Sequence, residues 1–226
     1  MDNFELFLRS ELNNFLSFTN NYSNNKTGNM KTLIKPVILS ILITSMFCNV
    51  YSQKAEQPIL LTSCGQSPGP VRLKIFMTRL NLVYDYNLLA TAEDLIAKKK
   101  EGKPYKSLII VTGASLKGMG AAGVSVEEEL KRTAALIAEA KKQGIKLIGA
   151  HIEGMARRSA GASAGDNSDE LSIDAVCPNS NMMIIKKEGD SDGRFTTISK
   201  GKNIPIFIFE LNNDITGILE QVFINK

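Results

Sequence analysis

The sequence predicts an α/β domain: a three-layer, doubly wound, mostly parallel sheet of about six strands, of the Rossmann-like or flavodoxin-like kind. Three observations predict it. Short apolar runs alternate with stretches of helical spacing between residues 58 and 223. The apolar runs are continuous instead of alternating with polar residues, the pattern of strands buried on both faces of a parallel sheet. Gly, Pro and Ser punctuate the changes from one pattern to the next.

Pro58 to Ser63, rich in Ile and Leu, is the first strand, and the cluster Gly65 to Pro70 stops it. Proline in the first turn suits the helix that follows over 71–81, with Val71, Ile75, Phe76 and Leu80 at helical spacing. Tyr84 to Leu89 is a second strand, and Ala92 to Lys100 a short helix ending near Gly102. Ser107 to Thr112, with Leu-Ile-Ile-Val at its centre, is a third strand, followed by a Gly-rich loop from Gly113 to Gly123. Ser125 with Glu128 three residues on is a capping box for a long helix to Gln143, and Gly144 stops it. Lys146 to Ile152 is the fourth strand. After a second Gly/Ala/Ser-rich stretch come a helix over Asp169 to Val176, strands over Asn181 to Lys186 and Ile206 to Glu210, and a last helix over Asp214 to Phe223.

Composition narrows the class of partner. With 43% hydrophobic and 22% charged residues the chain is neither collagen-like, wholly disordered nor a polytopic membrane protein. Its 27 Lys+Arg against 23 Asp+Glu give a net charge of only +4, so nucleic acid is not an expected partner. Three cysteines without a C-x-x-C pair make no disulfide scaffold, and the single histidine, His151, removes most zinc-site recipes.

The N-terminal part reads as a targeting region. Lys31 and Lys35 precede an apolar run from Val37 to Cys48, and Val50 and Ser52 sit at −3 and −1 of a cleavage site before Gln53. The run is shorter than the roughly 20 residues of a membrane span. Residues 30–52 are therefore expected to be a signal peptide, 1–29 a non-native upstream extension, and 53–226 a single exported domain, periplasmic or secreted, with no membrane span. Leu61-Thr62-Ser63-Cys64 matches a lipidation pattern but lacks the hydrophobic region ahead of it, and Cys48 has Phe47 where a small residue is wanted.

Three motifs follow strands: Thr62-Ser63-Cys64-Gly65-Gln66-Ser67 after the first, Lys117-Gly118-Met119-Gly120-Ala121-Ala122-Gly123 after the third, and Ala156-Arg157-Arg158 after the fourth. In these the chain resembles a bacterial domain family of unknown function, over most of residues 57–210. The resemblance implies an α/β domain in the cell envelope and brings no activity with it. Its members tend to carry a small residue at the place of Cys64, which implies that a cysteine nucleophile is not required.

In doubly wound sheets ligands bind at the carboxyl ends of the strands, near the point where strand order reverses. That edge collects Ser63, Cys64, Gly65, Gln66 and Ser67; Gly113, Ser115, Lys117 and Gly118; His151, Glu153, Arg157 and Arg158; and Asp190 and Asp192. Small residues let N–H groups approach a ligand, a helix N-terminus favours negative charge, and two arginines can grip a carboxylate or phosphate. A small anionic molecule is the expected ligand. Gly118-Met119-Gly120-Ala121-Ala122-Gly123 spells G-x-G-x-x-G but begins beyond the strand end and lacks the later acid, so NAD or FAD is set aside. ATP is set aside too, because Lys117 precedes its glycine and no Ser or Thr follows as a magnesium ligand.

Two other readings use the same residues. A small hydrolase or transferase would use Cys64, its thiolate favoured by the first helix N-terminus, or Ser63 or Ser67, with His151 as base and Glu153 or an aspartate orienting it. A structural partner domain of an envelope complex would show a wide apolar patch and no closed pocket. A metal would need Asp166, Asp169, Asp190 or Asp192 beside His151, and Asp190-Ser191-Asp192-Gly193 lacks the rest of an EF-hand loop, so no metal site is expected. Cys64 and Cys177 fall toward opposite ends of their strands, and both thiols are expected free.

Overall fold

The computed structural model describes residues 55–158 and 167–224; the expected upstream extension, signal peptide, cleavage site and Asp166 lie outside them. In chain order the strands are β1 (Ile59–Cys64), β2 (Tyr84–Tyr86), β3 (Ser107–Thr112), β4 (Lys146–His151), β5 (Met182–Lys186) and β6 (Ile206–Phe209). The helices are α1 (Gly69–Arg79), α2 (Ala92–Lys100), α3 (Leu116–Ala122), α4 (Val126–Gln143), α5 (Ser168–Val176), α6 (Arg194–Lys202) and α7 (Asp214–Phe223). The strands pair in the order β2-β1-β3-β4-β5-β6, and each pairing is parallel. This is the doubly wound sheet the apolar runs predict.

The strand order explains which helix covers which face. From β1 the chain steps one way to β2, then crosses back and proceeds through β3 to β6 in the other direction. Because crossovers between parallel strands are right-handed, reversing the direction moves the connecting helix to the opposite face. So α1, with α7 beside it, covers one face: Leu73, Phe76, Met77, Ile215, Leu219 and Val222 meet Ile59, Leu61, Ile109, Val111, Ile148 and Ala150. On the other face α2, α4 and α5 bring Leu95, Leu136, Ile137, Ala140 and Val176 onto Leu60, Leu108, Ile110 and Leu147. Phe195 of α6 and Ile173 of α5 cover Met183 and Ile185 there. Each fully buried aliphatic or aromatic side chain contributes about 1.5–3 kcal/mol.

Local chemistry sets the ends of the helices. The Ser125 hydroxyl accepts the Glu128 N–H at 3.2 Å while the Glu128 carboxylate accepts the Ser125 N–H at 2.8 Å, and Gly144 closes α4 in the left-handed conformation at φ 72°. Thr91 and Asp94 make a second capping box at the start of α2.

Four expectations shift. The first helix begins at Gly69, two residues early, because Pro70 fits its first turn. Strand β2 ends at Tyr86, three residues short, where the chain turns toward the Thr91 cap. The Gly-rich loop contains the helix α3, capped by Ser115 and closed by Gly123 at φ 69°. Helix α6 stands where no element is expected, because its Thr, Ser and Gly residues hide a short amphipathic pattern around Phe195.

At the strand-order reversal, between β1 and β3, the two loops are zipped together. Gln66 and Ala114 form an antiparallel bridge, and the Ser115 N–H donates to the Gly65 carbonyl at 2.7 Å. Gly65 stands at φ 107°, and a Cβ there would run into the Gly113 carbonyl oxygen and lie 2.7 Å from the Ala114 Cα. We expect Gly65→Ala to cost about 2–4 kcal/mol from the left-handed strain and the backbone collision together. Urea unfolding of the variant beside the parent checks this, and a loss under about 0.5 kcal/mol would mean that the loops are not closely apposed.

Candidate functional site

The carboxyl edge is built where α4 reaches under the two switch-point loops. The buried stripe of α4 runs Glu129, Thr133, Leu136, Ile137 and Ala140, so a carboxylate occupies a position that the helix presents to the core. Glu129 accepts the Gly65 N–H and the Gln66 side-chain amide, each at 2.9 Å. Arg132 closes on it through Nε at 3.0 Å and Nη2 at 2.9 Å, and also donates to the Ala90 and Ser63 carbonyls. Gln66 reaches the Leu88 carbonyl at 3.0 Å, and its own N–H donates to the Ser63 hydroxyl at 2.9 Å. The first loop, the β2–α2 connection and α4 are thus held by one buried ion pair.

Four more backbone donors of this edge are also taken by the chain itself. The Gly69 N–H, at the α1 N-terminus, donates to the Glu153 carboxylate at 3.1 Å and to the Ser67 hydroxyl at 3.3 Å. The Gly113 N–H donates to the Ser172 hydroxyl at 3.0 Å, the Ala114 N–H to Asp169 at 2.5 Å, and the Gly118 N–H to the Ser115 hydroxyl at 3.1 Å. Gly118 lies under the Gln66 carbonyl, so the G-x-G-x-x-G stretch packs one loop against another. Side-chain oxygens of the chain stand where the oxygens of an anionic ligand were expected.

The two arginines part company. Arg158 has a side chain only 1% exposed: it bonds Glu170 through Nε at 2.7 Å, Asp192 through Nη2 at 2.6 Å, and the Gly189 carbonyl. It also lies 5.5 Å from the Phe195 ring. That guanidinium holds the Asp192 carboxyl below its ordinary range. Arg158 is therefore a structural anchor, and the expected clamp of two arginines is not assembled. Arg157 remains in part exposed: Nη1 donates to the Ala114 carbonyl at 2.9 Å, while Nε, 3.8 Å from the Glu153 carboxylate, has no hydrogen-bond partner among the described residues. Lys117 is exposed on α3. Asp190 caps α6 through the Phe195 and Thr196 N–H groups.

Cys64 and His151 do not make a nucleophile and base. In register, Cys64 aligns with Thr112, and Thr112 lies between it and β4, so the two side chains sit two strands apart, about 10 Å. The His151 Nε2 donates to the Gly154 carbonyl at 2.9 Å, and Nδ1 lies 3.1 Å from the Thr112 hydroxyl, whose one proton is shared between it and the Ala150 carbonyl at 3.2 Å. Both residues are fully buried. Burial pushes the Cys64 thiol up to about 12 and holds the His151 imidazole below its ordinary value. This corrects the expectation of a thiolate at the α1 N-terminus: the side chain packs on the α4 face of the sheet, opposite α1, and desolvation there disfavours the thiolate. Cys64 and Cys177 are both free.

A cavity of about 10 Å³, room for roughly one water, lies beside Cys64, Gly65, Ala114, Met119 and Glu129. Among the described residues no group of three or more His, Cys, Asp or Glu is arranged to hold a metal, and no helix is long and apolar enough to cross a membrane. The residues missed from the sequence are Glu129, Arg132, Glu170 and Ser172, and Asp169, considered only as a metal ligand, instead accepts the Ala114 N–H. The readable signal for Glu129 is its place on the apolar stripe of α4, where a solvated helix would carry its acids outside.

The chain belongs to the family described as Domain of unknown function (DUF6305), whose model matches residues 56–223. No curated protein matches it in sequence. Two solved structures are similar at low identity. The psychrotrophic esterase EstA from Pseudoalteromonas sp., solved inhibited by monoethylphosphonate, is 11% identical, with 68% of this chain and 78% of that chain covered and a TM-score of 0.30. The acetyl xylan esterase AlAXEase is 10% identical, with 73% and 82% covered and a TM-score of 0.35.

The buried imidazole makes stability depend on pH. The unfolded chain takes up a proton on His151 near pH 6.5, while the folded chain resists it to lower pH. The contribution is therefore complete above about pH 6.5 and is lost as pH falls from there through the folded value, with a slope of at most about 1.4 kcal/mol per pH unit. Urea midpoints between pH 7.5 and 5 should fall in the parent and flatten in His151→Gln. Equal slopes in both would contradict the assignment.

Proposed function

We propose that this chain is an exported, non-catalytic binding domain whose carboxyl edge takes a small carboxylate or phosphate in the place its own Glu153 occupies. The observation that carries the reading is the Arg157 Nε, a buried donor that has no hydrogen-bond partner among the described residues and is ion-paired with Glu153 only at 3.8 Å. A donor buried in that way costs about 1–3 kcal/mol, which a better-placed oxyanion would return. The surroundings support it. Ser67, Gly69 and Gly113 converge on the same space: a Cβ on Gly69 would lie 3.2 Å from the Glu153 Oε2, and one on Gly113 would lie 3.0 Å from the Arg157 Cβ and 3.3 Å from the Ser67 Oγ. Ser67 accepts from Gly69, and among the described residues its proton has no acceptor.

A helix N-terminus, a hydroxyl and a guanidinium around one carboxylate make an anion cradle with an internal occupant. A ligand enters by displacing Glu153, so affinity reflects the difference between two carboxylates and not the full strength of the cradle. The hydrolase reading receives less support, because among the described residues the hydroxyl beside the imidazole is that of Thr112, fully buried, and not one of the candidate nucleophiles Cys64, Ser63 or Ser67. Export rests on the basic, apolar and small-residue pattern of residues 30–52.

Thermal unfolding against inorganic phosphate, citrate, acetate and sugar phosphates tests the reading. At 100 times the dissociation constant a bound probe adds about 2.7 kcal/mol. We expect a stabilising shift in the parent, none in Arg157→Ala, and a larger one in Glu153→Gln, whose neutral amide competes less well for the cradle. No shift in the parent or in Glu153→Gln with any probe would overturn it.

A further inference from the structure

The two edges of the sheet are finished differently. At one edge, β2 is three residues long and carries Asp85, held by Lys98 at 2.8 Å and by the Tyr105 hydroxyl at 2.5 Å. A short strand with a charge on it resists the addition of another strand. At the other edge, β6 reads Ile-Phe-Ile-Phe, with neither charge nor proline within it, and among the described residues only β5 pairs with it. Its Ile208 is 45% exposed, and Leu211 just beyond it 70%.

We propose that the free edge of β6 is a self-association surface, on which a second copy of this chain lays its own β6 antiparallel across a two-fold axis. The hydrogen bonds set the register. The Met183 N–H donates to the Pro205 carbonyl at 2.9 Å, so the main chains of Pro205, Phe207 and Phe209 face β5, and those of Ile206 and Ile208 point away from it. Only outward-facing residues can form a new ladder. Ile206 therefore pairs with Ile208 of the second copy, and Ile208 with its Ile206, which places the axis at Phe207. Pro205 lacks an N–H but turns that side toward β5, so it leaves the outer edge usable.

The charges are self-complementary under the same operation. The end of α6 that precedes β6 carries exposed Lys200 and Lys202, and the segment after β6 carries exposed Glu210, which also pairs with Lys187, and Asp214, which accepts the Glu210 and Leu211 N–H groups. Antiparallel pairing brings the basic end of one copy toward the acidic end of the other, twice. Parallel addition would set like charges together. A two-fold contact uses one patch on both subunits and closes on itself, so association stops at the dimer. Four residues of ladder are small against the roughly 1,200 Å² of a stable interface, so the dimer is weak, with a dissociation constant of about 1–100 μM.

Sedimentation velocity of the full chain across that range tests this, with Ile208→Lys as the edge-breaking variant. Because Ile208 is half exposed, the lysine is expected to leave the thermal midpoint within about 2 °C of the parent. The expected result is a concentration-dependent dimer in the parent and a monomer in the variant. A second measurement reads the register. In a Cys48→Ser background, with Cys64 and Cys177 buried, Phe207→Cys should crosslink to itself under mild oxidation, and Val83→Cys, exposed near the opposite edge, should not. A parent that stays monomeric up to about 1 mM, a dimer that survives Ile208→Lys, or crosslinking through Val83→Cys alone would overturn the proposal.

Discussion

The buried pair of Glu129 and Arg132 is the constraint on which the carboxyl edge depends. A carboxylate and a guanidinium that leave water lose several kcal/mol of solvation each, and the loss is recovered only when each remaining lone pair and proton finds a partner. Here they find three backbone groups and one side-chain amide. Glu129 takes the Gly65 N–H and the Gln66 amide, while Arg132 takes the carbonyls of Ser63 and Ala90. The groups that satisfy the pair belong to the first switch-point loop and the connection into α2, so the pair and the loops can only be buried together. The glycine at position 65 follows from this, because the loop must pass close enough to the β3 loop to bridge it.

That closure changes what the fold offers. In a doubly wound sheet the crevice at the strand-order reversal ordinarily presents unpaired N–H groups to a ligand. In this domain Glu129, Glu153, Asp169 and Ser172 reach those groups from α4, the β4 loop and α5. Arg132 and Arg158 are saturated by acids and carbonyls. What remains is Arg157, partly exposed and bonded through one nitrogen, beside a carboxylate that stands 3.8 Å away. The binding proposal follows from that difference between Arg157 and its neighbour in sequence.

Most of the fold was legible because its signals are local. The apolar runs of β1, β3 and β5 need no partner to be recognised, and the Ser125–Glu128 box with Gly144 marks both ends of α4 within one stretch of chain. Helices α3 and α6 were not legible: Gly118 and Gly120 in one and Thr196, Thr197 and Gly201 in the other lower helix propensity, and tertiary contacts through Met119 and Phe195 override it. The site was legible as a set of loops and not as a set of contacts. Ser67, Gly69, Glu153 and Arg157 do converge, as the strand-end rule implies. But Arg157 and Arg158 are adjacent and chemically identical, and only the positions of Glu170 and Asp192, 12 and 34 residues away, decide that the second is consumed. The apolar stripe of α4 was readable, with Glu129 on it, yet a carboxylate in the first turn of a helix has an ordinary explanation in the helix dipole.

A double-mutant cycle on Glu129→Met and Arg132→Met tests the central claim most directly, read as unfolding free energy in urea. If the pair holds the edge together, each single substitution leaves a buried charge uncompensated and costs about 3–5 kcal/mol, and the double variant loses clearly less than the two losses combined. Additive losses within about 0.5 kcal/mol would contradict the account, because they would mean that the two groups act on the loops independently.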